Sequence, residues 1–407
     1  MKLNKLIIAL AASGIATSAF ATNGYFSHGN GMVAKGMGGA ATAMTKDSFG
    51  GANNPATMVW VGNRYDAGVD AFSPVRAASA TTGSTVTSSD NELFAVPEFG
   101  YNQMMNDKMS LGVTVYGNGG MNTDYATTGG SNMLGGTTAL GVDLMQLIVA
   151  PTVSYKVNES TSVGFSPLLG YQRFEAYGLG AFADYSSSAA NLTNNGVDDA
   201  TGFGARVGFL TKLNSQVSLG AAYSSKVNMS KFDKYKGLFA EQGDFDLPAN
   251  WNVGATFQPN DQLTVALDFQ RIEYSGVKAV ANSSGVLLTG GRLGADAGPG
   301  FGWSDMDIVK LGVEYKYSPT MTLRAGYSHT DAPMTGADVT FNILAPAVIE
   351  DHITLGMTYA MDKDSNLTVS YAHALENTIT GNYLLGAGTG NIKMSQNSIG
   401  IAYSKKF

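Results

Sequence analysis

The sequence predicts an all-β fold, a 14-stranded antiparallel transmembrane β-barrel with a small N-terminal plug (hatch) inside its lumen. Three observations carry that expectation. Apolar and polar residues alternate at period two, short and long connections alternate between those segments, and only 14% of residues are charged. Ordinary soluble domains carry roughly 25% charge, and a helical transporter needs apolar stretches of about 20 residues. A membrane barrel instead spreads its apolar residues over every second position of many short strands.

The order of elements begins with export. Lys2 and Lys5 precede an apolar run at residues 6–15, and Ala19, Phe20 and Ala21 offer small residues for cleavage, so residues 1–21 read as a signal peptide. Loss of its two lysines takes the formal net charge from -7 to -9. So acidic a chain is expected to bind neither nucleic acid nor an anionic surface. With no cysteine, it has neither disulfides nor thiolate metal sites. Residues 22–61 are rich in Gly and Ala, show no alternation, and end in Asn53-Asn54-Pro55-Ala56. They read as a hatch folded back into the lumen, with a short helix over residues 32–44; the alternative is a disordered periplasmic tail.

Residues 62–407 read as the barrel. Fourteen alternating segments begin near 63, 93, 109, 144, 161, 201, 216, 250, 262, 305, 321, 350, 366 and 392. Met109, Leu111, Val113 and Val115 show the pattern, as do Trp251, Val253, Ala255 and Phe257. Tight polar turns at 104–108, 158–160, 214–215, 259–261, 318–320 and 362–365 alternate with long loops near 76–92, 118–143, 178–200, 229–249, 277–304, 332–349 and 378–391. Short periplasmic turns and long external loops have this rhythm. Tyr101, Tyr155, Tyr315, Tyr317 and Tyr359 fall beside the short turns, while Phe203, Tyr223, Phe269, Tyr327 and Tyr371 fall toward the long loops, as two aromatic girdles would. The last strand places Ile399, Ile401, Tyr403 and the terminal Phe407 on one face.

Beyond the pattern, particular residues resemble a known family. The Gly- and Ala-rich start leading to Asn54-Pro55-Ala56, the stretch at 144–156, Leu247-Pro248-Ala249-Asn250-Trp251 and residues 343–350 are similar to the FadL/TodX outer-membrane transporters for long-chain fatty acids and hydrocarbons. The resemblance implies a monomeric barrel in the bacterial outer membrane, closed by an N-terminal hatch and passing ligand without an energy source. It also implies sideways release into the bilayer at a kinked third strand. Asn54, Pro55, Ala56, Gly117, Gly119 and Gly120 are then the candidate gating residues. Glycine within a strand permits a bulge or kink, and the plain alternative is that residues 117–120 start the second long loop.

A long apolar tail is costly to leave in water, at about 0.8 kcal/mol per methylene, so its route must be apolar. Met121, Leu134, Leu140, Phe341, Ile343, Leu344, Leu384 and Leu385 are unusually apolar for external loops. They are candidates for ligand capture, or they cap the barrel by packing on one another. Strand parity turns Arg206, Asp268, Lys310, Glu314 and Arg324 toward the lumen, where Arg206 is a candidate for binding a carboxylate; the competing reading is that lumenal charges pair with each other or with the hatch. Phe94 and Val96, on the same inward parity, are candidates for a tail-binding wall. Four histidines, His28, His329, His352 and His373, form no catalytic constellation, and no metal or phosphate-loop spacing occurs, so neither an enzyme nor a cofactor is expected. The expected partners are outer-membrane lipid and a hydrophobic small molecule. A fatty acid leads, an aromatic hydrocarbon follows, and a surface adhesin or phage receptor on a barrel anchor is the rival class.

Overall fold

Alternation becomes wall. In a computed structural model of the chain, which describes residues 23–80, 86–384, 386 and 388–407, the alternating segments form one closed antiparallel sheet. Its long strands are β1 (Arg64–Ser79), β2 (Phe94–Asn106), β3 (Met109–Tyr125), β4 (Leu140–Lys156), β5 (Thr161–Tyr177), β6 (Asp198–Lys212) and β7 (Val217–Ser224). They continue as β8 (Asn250–Phe257), β9 (Leu263–Ile272), β10 (Met306–Lys316), β11 (Met321–Thr330), β12 (Asp351–Ala360), β13 (Ser365–Asn382) and β14 (Thr389–Lys406). Each pairs with its neighbour, and β1 closes on β14 from Arg64 opposite Lys406 to Ser79 opposite Asn391. Closure removes the free edges of the sheet except at one stretch of β2, as a bilayer demands, because an unpaired backbone group in hydrocarbon costs several kcal/mol. The expected leader at 1–21 lies outside the described residues.

The outward row is apolar. Leu267, Ile353, Leu355 and Ile399 are each half or more exposed, which only lipid makes favourable. The inward row is polar and buried, with Asp70, Glu98, Arg206, Asp268, Lys310, Glu314 and Arg324 all facing the lumen. Local chemistry fixes the short turns. Asn158 Oδ1 accepts from the backbone N–H of Ser160 and Thr161, Asn214 from Gln216 and Val217, Asn260 from Gln262 and Leu263, and Asp362 from Asp364 and Ser365, all at 2.8–2.9 Å. A side-chain oxygen that closes its own turn pins each hairpin register.

Residues 23–61 thread the lumen as a plug. The helix expected over 32–44 shrinks to α1 (Met32–Lys35), because Gly38 and Gly39 take φ of 67° and 84° and end it. Where the plug passes closest to the wall, glycine meets glycine: a Cβ added to Gly36 would lie 2.9 Å from the Cα of Gly356 in β12. A 3-10 turn at Pro55–Trp60, capped by the Asn54 side chain, then leads into β1.

Four strands run four or more residues beyond their expected limits. β1 continues to Ser79, β3 to Tyr125 and β13 to Asn382, and β4 starts at Leu140, although 76–92, 118–143 and 378–391 read as loops. The upper part of β3 is buried on both faces, so it carries no alternation to read.

Candidate transport pathway

The long loops and upper strands enclose an apolar chamber of about 590 Å³, mouth included, lined by Met121, Leu144, Phe174, Phe239, Phe301 and Phe341 among others. No charged side chain lines it. Aromatic rings set its shape, with Phe239 4.7 Å from both Phe174 and Phe245, and Phe182 5.6 Å from Phe341. Of the loop residues singled out from sequence, Met121, Leu134, Leu140, Phe341, Ile343 and Leu344 join one buried cluster, with Leu384 packed on its rim. Leu385 lies outside the described residues. Sequence reasoning missed Phe174, Phe182, Phe239, Phe245, Phe301 and Trp303, whose loops or strand ends offer no periodicity to read.

The leading residues of the plug back the chamber lining as its floor, with Tyr25 6.0 Å from the lining ring of Phe245. Tyr25 packs 5.1 Å from Tyr274 and 5.7 Å from Trp303, its N–H donates to the Tyr274 hydroxyl, and that hydroxyl donates to Asn23 O at 2.6 Å. Burial raises both phenols well above the ordinary tyrosine range, so the floor is uncharged at physiological pH.

Beside the floor, the wall has a window. β2 pairs with β1 from Phe94 onward but with β3 only from Phe99, opposite Val115. Among the described residues, Phe94–Glu98 have no ladder to β3. Above the window, Asp90 N–H donates to Asp124 O at 2.8 Å and Asn91 donates to the Asn122 side chain. Here the register of β3 on β4 shifts between Gly117 and Gly119, so the glycine run makes a bulge inside a strand that continues to Tyr125. From the lumen the plug supplies the missing partner: Phe26 bridges Gly119, Gly120 N–H donates to Tyr25 O, and Ser27 N–H donates to Asn118 O, both at 3.2 Å. Any Cβ on Gly119 would collide with the Tyr25 carbonyl. Phe72, Phe94 and Val96 make a separate apolar cluster on the β1–β2 side.

Polar bonds fasten the plug body below. Lys35 pairs with Asp70 at 2.7 Å and Glu98 at 3.7 Å, and Lys46 with Glu314, which also holds Arg324 at 2.8 Å. Burial pulls the Lys35 ammonium down, but the two carboxylates outweigh it and hold it above the usual lysine range. Asp268 Oδ2 accepts from the backbone of Ala41 and Thr42 at 2.8 Å and from the Thr42 hydroxyl at 2.7 Å. Arg206 donates to the carbonyls of Gly51 and Ala52, so its guanidinium is engaged by the plug. Asn54 donates to Phe209 O in β6 and to Thr42 O, Ala56 O accepts from Ser162, and Pro55 starts the capped turn; all three gating candidates of the Asn-Pro-Ala motif sit at the anchored end, far in sequence from the window glycines. Trp60 closes the anchor, 3.7 Å from the Lys212 ammonium and donating to Ser162.

His28 stacks on His352, with ring centroids 5.4 Å apart. Burial, then the charges of Lys35 and Lys310, lower the His28 imidazole to about 3. No group of three or more metal-ligating side chains occurs among the described residues.

A closed barrel, an internal stopper and a window in the wall invite comparison with known proteins. Residues 8–407 match the outer membrane protein transport protein family, OMPP1/FadL/TodX. The chain belongs to this family. Its place is therefore the outer membrane and its work is transport of hydrophobic compounds, not catalysis. It is 26% identical to the long-chain fatty acid transport protein of Escherichia coli O6:H1 (strain CFT073), over 91% of each chain. It is 22% identical to outer membrane protein P1 of Haemophilus influenzae, over 68% of this chain and 65% of that one. Among solved structures, the Pseudomonas putida toluene transporter TodX superposes with a TM-score of 0.72 at 21% identity, over 95% of this chain and all of that one. A FadL homologue of Pseudomonas aeruginosa superposes with a TM-score of 0.71 at 17% identity, over 94% and 100%.

Proposed function

We propose that this transporter takes up long-chain fatty acids and comparable apolar molecules, and delivers them sideways through the window between β2 and β3. The single observation that carries the reading is the plug strand at residues 25–27, which packs on the chamber lining through Tyr25 against Phe245 and also occupies the window. A ligand entering the chamber competes with Tyr25 for the aromatic contacts of Tyr274 and Trp303. Displacing Tyr25 with the strand it leads withdraws the bond from Gly120 N–H to Tyr25 O and that from Ser27 N–H to Asn118 O, so filling the chamber unblocks the wall. Residues 23–61 act as the hatch, with Asn54, Pro55 and Ala56 at its fixed end. Each barrel holds its own chamber, hatch and window, so it works as a monomer in outer-membrane lipid.

The relatives named for fatty acid transport support an amphiphilic ligand. The charge-free chamber lining also suits a plain hydrocarbon tail, which keeps aromatic hydrocarbons as a second reading. Uptake of labelled oleate and toluene by cells lacking and then regaining this gene tests both. Unchanged entry of both compounds, with loss of surface attachment instead, would favour an adhesin and sink the transport reading. Size-exclusion chromatography with light scattering tests the monomer.

A further inference from the structure

The upper corner of the window holds a buried arginine with no carboxylate partner. Arg76 faces inward from β1 at 2% exposure, and among the described residues it forms no ion pair. One terminal nitrogen donates to Asn91 O, its guanidinium sits 5.9 Å from the Phe94 ring centre, and its Nε has no hydrogen-bond partner. The hydroxyl of Tyr125, fully buried at the end of β3, also lacks a partner, and residues 89–90 tie the two strands together there, Ser89 N–H donating to Arg76 O at 2.9 Å and Asp90 N–H to Asp124 O at 2.8 Å. The nearby carboxylate in sequence, Glu92, is exposed to solvent and makes no ion pair with it. A buried guanidinium with an idle N–H is costly unless an anion completes it.

The cations that strand parity turns toward the lumen are already engaged, Arg324 by Glu314. Arg206 is held by the carbonyls of Gly51 and Ala52, and Lys310 donates to His28 O. Arg76 is different because its neighbours are the apolar trio Phe72, Phe94 and Val96 on one side and the orphan phenol on the other. One cation, one O–H donor and a greasy strip beside a break in the wall make a two-part recognition surface.

We propose that Arg76 and Tyr125 bind the carboxylate of an anionic amphiphile at the window while its tail lies along Phe72, Phe94 and Val96. This rests on the transport reading above and narrows its ligand to a long-chain carboxylate over an uncharged hydrocarbon. The Arg76 Nε–H and the Tyr125 O–H both donate to the carboxylate, and loss of either donor weakens the head group alone.

The test uses the purified full-length protein in lipid nanodiscs, with oleate and its uncharged methyl ester as probes. Arg76→Gln is expected to weaken oleate binding by about tenfold, and Tyr125→Phe by about threefold, with methyl oleate unchanged. Arg76→Lys restores part of the loss, since it returns the charge without the planar fork. Unheated gel mobility verifies that each variant is an assembled barrel. Oleate binding that is unaltered in Arg76→Gln, or weakened equally with its ester, overturns the proposal while leaving transport intact. Wild-type protein that binds neither probe overturns the transport reading itself.

Discussion

The plug body and the chamber above it are both buried, yet they are held by opposite kinds of force. Below, Lys35 with Asp70, Lys46 with Glu314 and Arg324, and Asp268 with the Ala41–Thr42 backbone are directional contacts between fixed partners. Above, Phe174, Phe239, Phe245, Tyr274 and Trp303 touch ring to ring. An apolar ligand can replace a ring contact with one of its own, but it has nothing to offer a stranded ammonium. The difference predicts where motion occurs: ligand displaces residues 23–28, whose leading rings belong to the chamber by their contacts, and leaves the plug body in place.

The largest expected effect comes from the polar side. Glu314→Gln leaves Arg324 buried without its carboxylate, a loss of about 3–5 kcal/mol for a fully buried pair, and the one-third exposure of Lys46 puts the outcome at the lower end. Amide exchange across residues 41–50 should then quicken by about a hundredfold. Exchange rates equal to wild type would mean that the ion network does not dock the plug. Next comes the joint between the two regions. Gly119→Val collides with the Tyr25 carbonyl and fills the window with a branched side chain. Oleate uptake should drop by about tenfold or more in an assembled barrel; normal uptake would remove the window from the pathway.

On the apolar side the effect is smaller. Phe239→Ala removes ring contacts to Phe174 and Phe245, each worth about 0.5–1.5 kcal/mol beyond buried area. Binding of oleate and of toluene should weaken together by about fivefold, with amide exchange in residues 41–50 unaltered. If the plug loosens as well, the two regions are not mechanically separate.

How much of this was legible depends on which force left a pattern. The strand starts read from sequence fall within four residues of those observed, because lipid on one side and polar plug on the other impose period two on every wall strand. The turns were legible because Asn158, Asn214, Asn260 and Asp362 close them locally. Inward parity placed Arg206, Asp268, Lys310, Glu314 and Arg324 correctly, but parity says nothing about which groups they meet. Arg76 and Tyr125 escaped notice for a physical reason. They lie where β1 and β3 rise past their alternating stretches, are covered on both faces, and so read as loop. The chamber rings were equally silent, since a loop packed by tertiary contacts needs no repeat.

The smallest effect tests whether the leading segment moves at all. His28 sits just past the window strand, stacked on His352 of β12, near the ammonium of Lys35 in the plug, and with its carbonyl taken by Lys310 of β10. Burial holds it near 3 when the plug is closed, against about 6.5 when displaced into water. A depressed histidine contributes to the closed state fully above about pH 6.5, and that contribution is lost progressively as the pH falls below it. Between pH 7.5 and 6.0 the displaced population should therefore rise by about fourfold from this group alone. Spin labels on residue 26 and on β4 read the displacement as a distance, and His28→Gln should flatten the response. An identical pH response in wild type and His28→Gln would show that residues 23–27 open without exposing the imidazole, which would place the hinge of the plug between the window strand and His28 and not beyond it.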